Sequence, residues 1–193
     1  MSVSTTALTY ATASVYEVNA PFVVLMMVGI IFIVLGNYLP KARQKQEGLR
    51  NMNHEEKAMK IFGDKFNCSQ AVLGAFAEEL GMSEEQAMKV ALCFSSGARK
   101  GEVCGAVSGA IMVLGLKYGQ LGNNEAASKA IAYEKTGEFM ERFKKENGSY
   151  ICKDILGCDI STDEGRAHAL ENNSFNEICP RMVKSAVNIL ESM

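Results

Sequence analysis

The sequence has no tryptophan, two histidines and three prolines in 193 residues. His54 and His168 are far apart, and no cysteine stands at metal-ligand spacing from His168, so a histidine-based metal site has no support. No general acid–base pair and no phosphate-binding loop is recognisable. No two cysteines have the Cys-x-x-Cys spacing of thioredoxins, zinc ribbons or ferredoxins. Any centre built from several cysteines must therefore be assembled by the fold.

Charge is nearly absent from the first forty residues, where Glu17 is the single charged side chain. About twenty consecutive apolar residues are enough for a helix to span a bilayer. We therefore expect one transmembrane helix over residues 18–40, with the lipid bilayer as its partner. A cleaved signal peptide fits less well, because no basic residue precedes the apolar run. A buried core helix is the third interpretation, and the run is apolar on all sides.

Basic residues follow this apolar run, and Glu47 is the one acidic residue among them. The positive-inside rule then predicts a single-pass protein of the cell membrane with a cytoplasmic C-terminal domain. Residues 1–17 would be a short extracytoplasmic tail and residues 41–53 a basic juxtamembrane linker. The residues that set this orientation are Lys41, Arg43, Lys45 and Arg50.

The remaining residues, 54–193, are long enough for one helical domain. In the whole chain basic and acidic residues nearly balance, 20 against 22, and predict no nucleic-acid partner. Apolar residues recur at helical spacing and no strand-like alternation is visible, so the fold class is all-α, a compact multi-helix bundle. Helices are predicted over residues 55–65, 68–80, 84–94, 104–118, 125–147, 151–156, 162–171 and 180–191.

Four of the six cysteines fall at predicted helix N-termini: Cys68, Cys104, Cys152 and Cys179. Cysteine is not a favoured capping residue, and a helix N-terminus lowers the pKa of a thiol. The pattern therefore favours a shared centre, although small buried side chains are the alternative. In a cytoplasmic domain these thiols would be mostly reduced; with the opposite orientation, three disulfides become possible.

Cys104 follows a loop that contains the basic pair Arg99 and Lys100. The helix dipole and these two charges predict a lowered pKa for its thiol. The small residues Gly105, Ala106 and Gly109 come next. Their face either packs closely against another helix, the favoured interpretation, or admits a cofactor.

The other two cysteines receive weaker predictions. Cys93 lies in an apolar stretch, Val90 to Phe94, and is expected to be buried in the core. Cys158 follows the turn at Gly157 and either pairs with Cys152 or has no part in the site. Neither residue is assigned to the four-cysteine centre.

Four segments carry a recognisable pattern: Asn67-Cys68-Ser69-Gln70-Ala71-Val72-Leu73, Gly101 to Ala110, Cys152-Lys153-Asp154-Ile155-Leu156-Gly157 and Cys179-Pro180. Together they resemble the C-GCAxxG-C-C family, which is described as redox-active. The resemblance covers residue 55 to the end and implies that Cys68, Cys104, Cys152 and Cys179 are the family cysteines. Some relatives carry such a domain beside haem and an iron–sulfur centre, so a metal cluster remains an alternative here.

Three functions follow, in order of preference. In the first, Cys104 is the attacking thiolate and Cys68, Cys152 or Cys179 resolves the mixed disulfide, as in a thiol oxidoreductase with a redox partner protein. In the second, the same four thiolates hold an iron–sulfur cluster or another metal for electron transfer. In the third, the chain is a membrane-tethered interaction module without catalysis.

Overall fold

The computed structural model describes residues 23–33, 36, 52–120, 122 and 124–193. Contacts divide the chain into two units, Met1–Asn51 and Met52–Met193, which are treated separately below. In the first unit residues 23–33 are helical, and their large apolar side chains are 45 to 73% exposed.

The helices in the described part of the chain include none that is both long enough and apolar enough to span a bilayer. Of the predicted span, residues 18–22, 34–35 and 37–40 lie outside the described residues. The predicted tail and residues 41–51 of the predicted linker also lie outside them.

The second unit is all-α in its described residues, as the sequence predicted. A single antiparallel bridge, between Val103 and Ile151, is the extent of β pairing found there. The nine helices described in this unit are α1 (His54–Gly63), α2 (Cys68–Ala77), α3 (Glu84–Ala91), α4 (Gly105–Tyr118), α5 (Glu125–Asn147), α6 (Cys152–Leu156), α7 (Asp163–Glu171), α8 (Ser174–Glu177) and α9 (Cys179–Glu191).

Helix α2 lies at the centre of this unit. It carries no charged residue, and all ten of its residues are buried. A helix without a polar face must be covered on every side. Helices α1, α3, α4 and α9 all pack against it. The first residue of α2 is Cys68, so the fold holds that thiol at the edge of its most buried element.

Side-chain caps fix the helix starts that the sequence predicted. Asn67 and Gln70 form a capping box at α2, and Ser83 and Gln86 form one at α3. Each box satisfies main-chain N–H groups that the first helical turn leaves unpaired. Helix α5 has the predicted bounds, whereas α3 ends at Ala91, three residues before the predicted end.

The early end of α3 overturns the prediction for Cys93. A 3₁₀ turn, Leu92–Phe94, replaces the last predicted helical turn. All three side chains of this turn are exposed, Cys93 among them. Leu92 and Phe94 beside it are 52% and 42% exposed. Apolar composition alone therefore misplaced this segment in the core.

The buried residues form two clusters of different size. The larger one includes Cys68 and Cys104 and is built mainly from α2, α4 and α9. The smaller one contains Cys152 and has Cys179 packed against it. Ile178 contacts both clusters, so the two cores meet at the start of α9.

Candidate functional site

The four cysteines singled out from the sequence do lie at helix N-termini. Cys68, Cys152 and Cys179 are the first residues of α2, α6 and α9, and Cys104 is the N-cap of α4. The fold also makes them neighbours in pairs. Cys68 Sγ lies against Gly105, the residue after Cys104; the bridge between Val103 and Ile151 sets Cys104 beside Cys152; and Cys68 and Cys179 line one cavity. Four thiols from four helices thus meet at the junction of the two cores.

The bridge between Val103 and Ile151 joins two of these cysteines. The main-chain N–H of Cys104 donates to the Tyr150 carbonyl at 2.8 Å. The N–H of Cys152 donates to the Glu102 carbonyl at 2.6 Å. Because both cysteines adjoin the same bridge, α4 and α6 begin side by side despite their separation in sequence.

Gly105 provides the space that Cys68 occupies. A Cβ atom at Gly105 would overlap Cys68 Sγ and would lie 3.1 Å from Ser95 Cα. At Gly109 a Cβ atom would lie 2.7 Å from the Ser69 carbonyl oxygen. These distances are too short for any residue with a side chain, so α2 packs directly on the glycine face of α4. Close helix packing, the interpretation favoured from the sequence, is confirmed.

The prediction that Cys104 has a lowered pKa is wrong. Burial raises the pKa of its thiol well above the ordinary value, and the neighbouring Cys68 and Cys152 add to the increase. The main-chain N–H of Ala106, in the first turn of α4, opposes this only in part. Arg99 and Lys100 are both exposed and are not among the groups that shift this pKa. The increase in pKa from desolvation of the thiolate is therefore larger than the decrease that the helix N-terminus causes.

Cys152 and Cys179 behave in the same way. Burial, followed by the charge of Cys68, raises the pKa of each thiol to about 12. Cys158 also raises the pKa of Cys152, so it lies near the centre without belonging to its core. It is a free thiol that packs against the smaller cluster.

Cys68 differs because several donors surround its sulfur. Burial raises its pKa, but the nearby main-chain N–H groups of Ser96 and Ser69 oppose that increase. Ser95 is buried and lies 2.6 Å from Ser69 Oγ, which in turn donates to the Ala91 carbonyl. Donors aimed at a sulfur stabilise its anionic form. Cys68 therefore has the best environment for a thiolate among these residues.

A surface cavity of about 200 Å³ reaches two of the four thiols. Cys68 and Cys179 line it, whereas Cys104 and Cys152 do not. Arg99 and Arg166 also line it, and no acidic side chain does. The full lining comprises Phe62, Phe66, Asn67, Cys68, Ser95, Ser96, Arg99, Arg166, Leu170, Phe175 and Cys179.

The loop beside this cavity has an unusual backbone. Ser96, Ala98 and Arg99 have φ values of 55°, 52° and 65°, in the left-handed region that residues with a side chain seldom occupy. This path directs the Ser96 N–H to Cys68 and brings Arg99 to the cavity. Backbone strain of this kind concentrates at functional sites.

The donor set has the right chemistry for an iron–sulfur cluster, since four thiolates suffice. However, the described residues include no group of three or more Cys, His, Asp or Glu side chains arranged to hold a metal ion. The present geometry does not fit such a cluster, and no step of the mechanism below uses one. The metal alternative stays a prediction.

Sequence reasoning missed several residues of this site. Ser69 and Ser95, which support Cys68, and Arg166, which lines the cavity, were not singled out. Ser69 adjoins a family cysteine and could have been found from that position. Nothing local marks Ser95 or Arg166, because the 3₁₀ turn after α3 and helix α7 bring them to the cavity at Cys68 only in the folded chain.

These observations define an all-helical domain whose small-residue motif, Cys-Gly-Ala-x-x-Gly, seats one buried thiol beside another. A family model described as "Putative redox-active protein (C_GCAxxG_C_C)" matches residues 66–193. The chain belongs to this family. No curated protein and no solved structure matches it.

Proposed function

We propose that the chain is a thiol-based redox protein in which Cys68, Cys104, Cys152 and Cys179 exchange between dithiol and disulfide. Membership of a redox-active family supports a redox role. The observation that carries the proposal is the cavity that Cys68 and Cys179 line together, with Cys104 and Cys152 held beside each other by the Val103–Ile151 bridge. Forming one disulfide from two of them releases two electrons and two protons to an oxidant.

Within this proposal Cys68, rather than Cys104, is the attacking group. Main-chain N–H groups beside its sulfur favour the thiolate, and the residue lines a surface cavity. Cys104 is 4% exposed and does not line that cavity, so a substrate sulfur has no open route to it. Cys104 and Cys152 would act as an inner pair that receives the disulfide by exchange.

The test is a redox titration of the purified full-length protein. Thiols are counted and disulfides mapped by mass spectrometry across a series of dithiol buffers, and metal content is measured on the same anaerobic sample. We expect a reversible two-electron couple that is lost in Cys68→Ser. Cys93→Ser serves as the matched control, because Cys93 is exposed and outside the centre. A Cys68→Ser variant that keeps the wild-type couple would exclude this role, and stoichiometric iron would favour the metal alternative.

Membrane attachment through residues 18–40 is part of the same proposal, with the domain in the cytoplasm. It is supported by the uncharged run and by the basic residues that follow it. The protein should remain in the membrane fraction after a high-salt or carbonate wash, and a protease added to the outside of intact cells should leave the domain uncut. Recovery in the soluble fraction would argue against a tether.

A further inference from the structure

The cavity that reaches Cys68 and Cys179 combines two kinds of wall. Phe62, Phe66 and Phe175 supply apolar surface, and Arg99 and Arg166 supply positive charge. Neither guanidinium group has a carboxylate within 4.0 Å among the described residues, so both charges are available to a ligand. A cleft lined by one sign of charge attracts ions of the opposite sign.

Size limits what can enter. A volume of about 200 Å³ is below the range of about 300–1,000 Å³ that drug-sized ligands occupy. A protein disulfide on a rigid surface would also have to reach Cys68, which is only 8% exposed. The space instead suits a small chain-like molecule with carbon against the phenylalanines and its charge near the arginines.

From this arrangement we infer that the substrate is a small organic disulfide that carries carboxylate groups. Such a substrate presupposes the thiol chemistry proposed above and adds its chemical class. Apolar walls and arginines select the molecule, and the two thiols that line the cavity react with it.

The reaction needs only the two cavity thiols. Cys68, on losing its proton, attacks one sulfur of the disulfide; that S–S bond breaks and the leaving thiolate takes up the proton. The Cys179 thiol then loses its proton and attacks the Cys68 sulfur of the mixed disulfide. A Cys68–Cys179 disulfide forms, and the second thiolate leaves and is protonated. The protein loses two electrons and the substrate disulfide gains two.

A charge series of small disulfides tests the inference. Fully reduced full-length protein is mixed in single turnover with dithiodipropionate, which is anionic, with hydroxyethyl disulfide, which is neutral, and with cystamine, which is cationic. Each second-order rate constant is divided by that of the same compound with a small free thiol, which removes differences in leaving-group pKa. We expect the normalised value to fall in that order, by about tenfold at each step at low ionic strength. Added salt should reduce the differences among the three rate constants, because screening weakens the attraction between exposed charges.

Variants identify the source of the preference. In the double variant Arg99→Gln, Arg166→Gln these normalised rate constants should agree within about twofold for all three compounds, near the wild-type value for the neutral one. The double variant Arg99→Lys, Arg166→Lys keeps both positive charges, so it should react with the three compounds in the same order of rate as the wild type. Arg181→Gln removes a similar charge two residues from Cys179 but outside the cavity, and should change the order little.

The outcomes separate this inference from the proposed function. Equal normalised rate constants for the three compounds in the wild type, with all reaction abolished by Cys68→Ser, would overturn the anionic substrate while leaving the thiol chemistry intact. A wild-type protein that reacts with none of the three, and forms no disulfide with any oxidant, would refute the proposed function itself. A charge preference that survives in the glutamine double variant would overturn the assignment to these arginines.

Discussion

Replacement of Gly105 by alanine tests the contact on which the site depends. The added methyl group would overlap Cys68 Sγ and would meet the Phe94 carbonyl oxygen at 3.2 Å. Overpacking of a close-packed interior costs about 1–3 kcal/mol. The higher helix propensity of alanine returns up to about 1 kcal/mol. We therefore expect Gly105→Ala to lower the free energy of unfolding by about 1.5 kcal/mol, within a range of about 0–3 kcal/mol.

The same helix offers a matched control. Gly115 is an exposed residue of α4, and a Cβ atom placed there meets nothing within 4 Å. Gly115→Ala should thus raise the free energy of unfolding by up to about 1 kcal/mol. Urea unfolding of reduced protein, followed by circular dichroism, measures both changes. Stabilisation of similar size by the two substitutions would refute the close contact between Gly105 and Cys68.

A double-mutant cycle isolates the thiol from the rest of the contact. In a Cys68→Ala background the sulfur is gone, so Gly105→Ala should cost about 1 kcal/mol less than in the wild type. The remaining cost would report the contacts with Phe94 and Ser95, which stay in place. Additive effects, with no coupling between the two positions, would show that the sulfur is not what Gly105 accommodates.

Two further predictions concern the thiols and the strained loop. Burial raises the pKa of Cys179 to about 12 from an ordinary value of 9.0, so iodoacetamide should alkylate it about a thousandfold more slowly than a free thiol at neutral pH. The alkylation rate should still rise about tenfold per pH unit at pH 10. A plateau of that rate near pH 9 would contradict the raised pKa. The unfolded chain then releases this proton first, so stability should fall as pH rises from about 9 toward 12. Ala98→Gly should raise the free energy of unfolding by about 0.5–1 kcal/mol, since relief of a left-handed conformation exceeds the entropy cost of glycine. Ala130→Gly, at an exposed position in the middle of α5, should instead lower the free energy of unfolding by about 1 kcal/mol. A lower free energy of unfolding in both variants would argue against strain at Ala98.

Local signals were sufficient for much of the helical framework. Capping boxes at Asn67 and Ser83 fixed two helix starts, and glycines marked the ends of α5 and α6. Each of these depends on neighbours within a few residues. The four cysteines could be placed at helix N-termini for the same reason.

The properties of those cysteines could not be predicted in the same way. The pKa of Cys104 depends on how much chain covers it, and that cover comes from helices distant in sequence. The left-handed backbone at Ser96 and Ala98 has no local signature, because neither residue favours that conformation. The cavity likewise forms only when α7 and α9 are in place. Neighbouring residues in the sequence therefore could not predict that Arg166 and Cys179 line it.

The division of the cysteines between two cores has a consequence for folding. Cys68 and Cys104 belong to the larger cluster, whereas Cys152 and Cys179 belong with the smaller one. Contacts between distant parts of a chain form late, and the least stable parts of a native protein open first. Transient detachment of the smaller core would separate the thiols into two pairs while most of the larger core stayed folded. A disulfide between a cysteine of one cluster and a cysteine of the other would prevent this detachment. The oxidation state of the centre would then set how often this part of the domain opens.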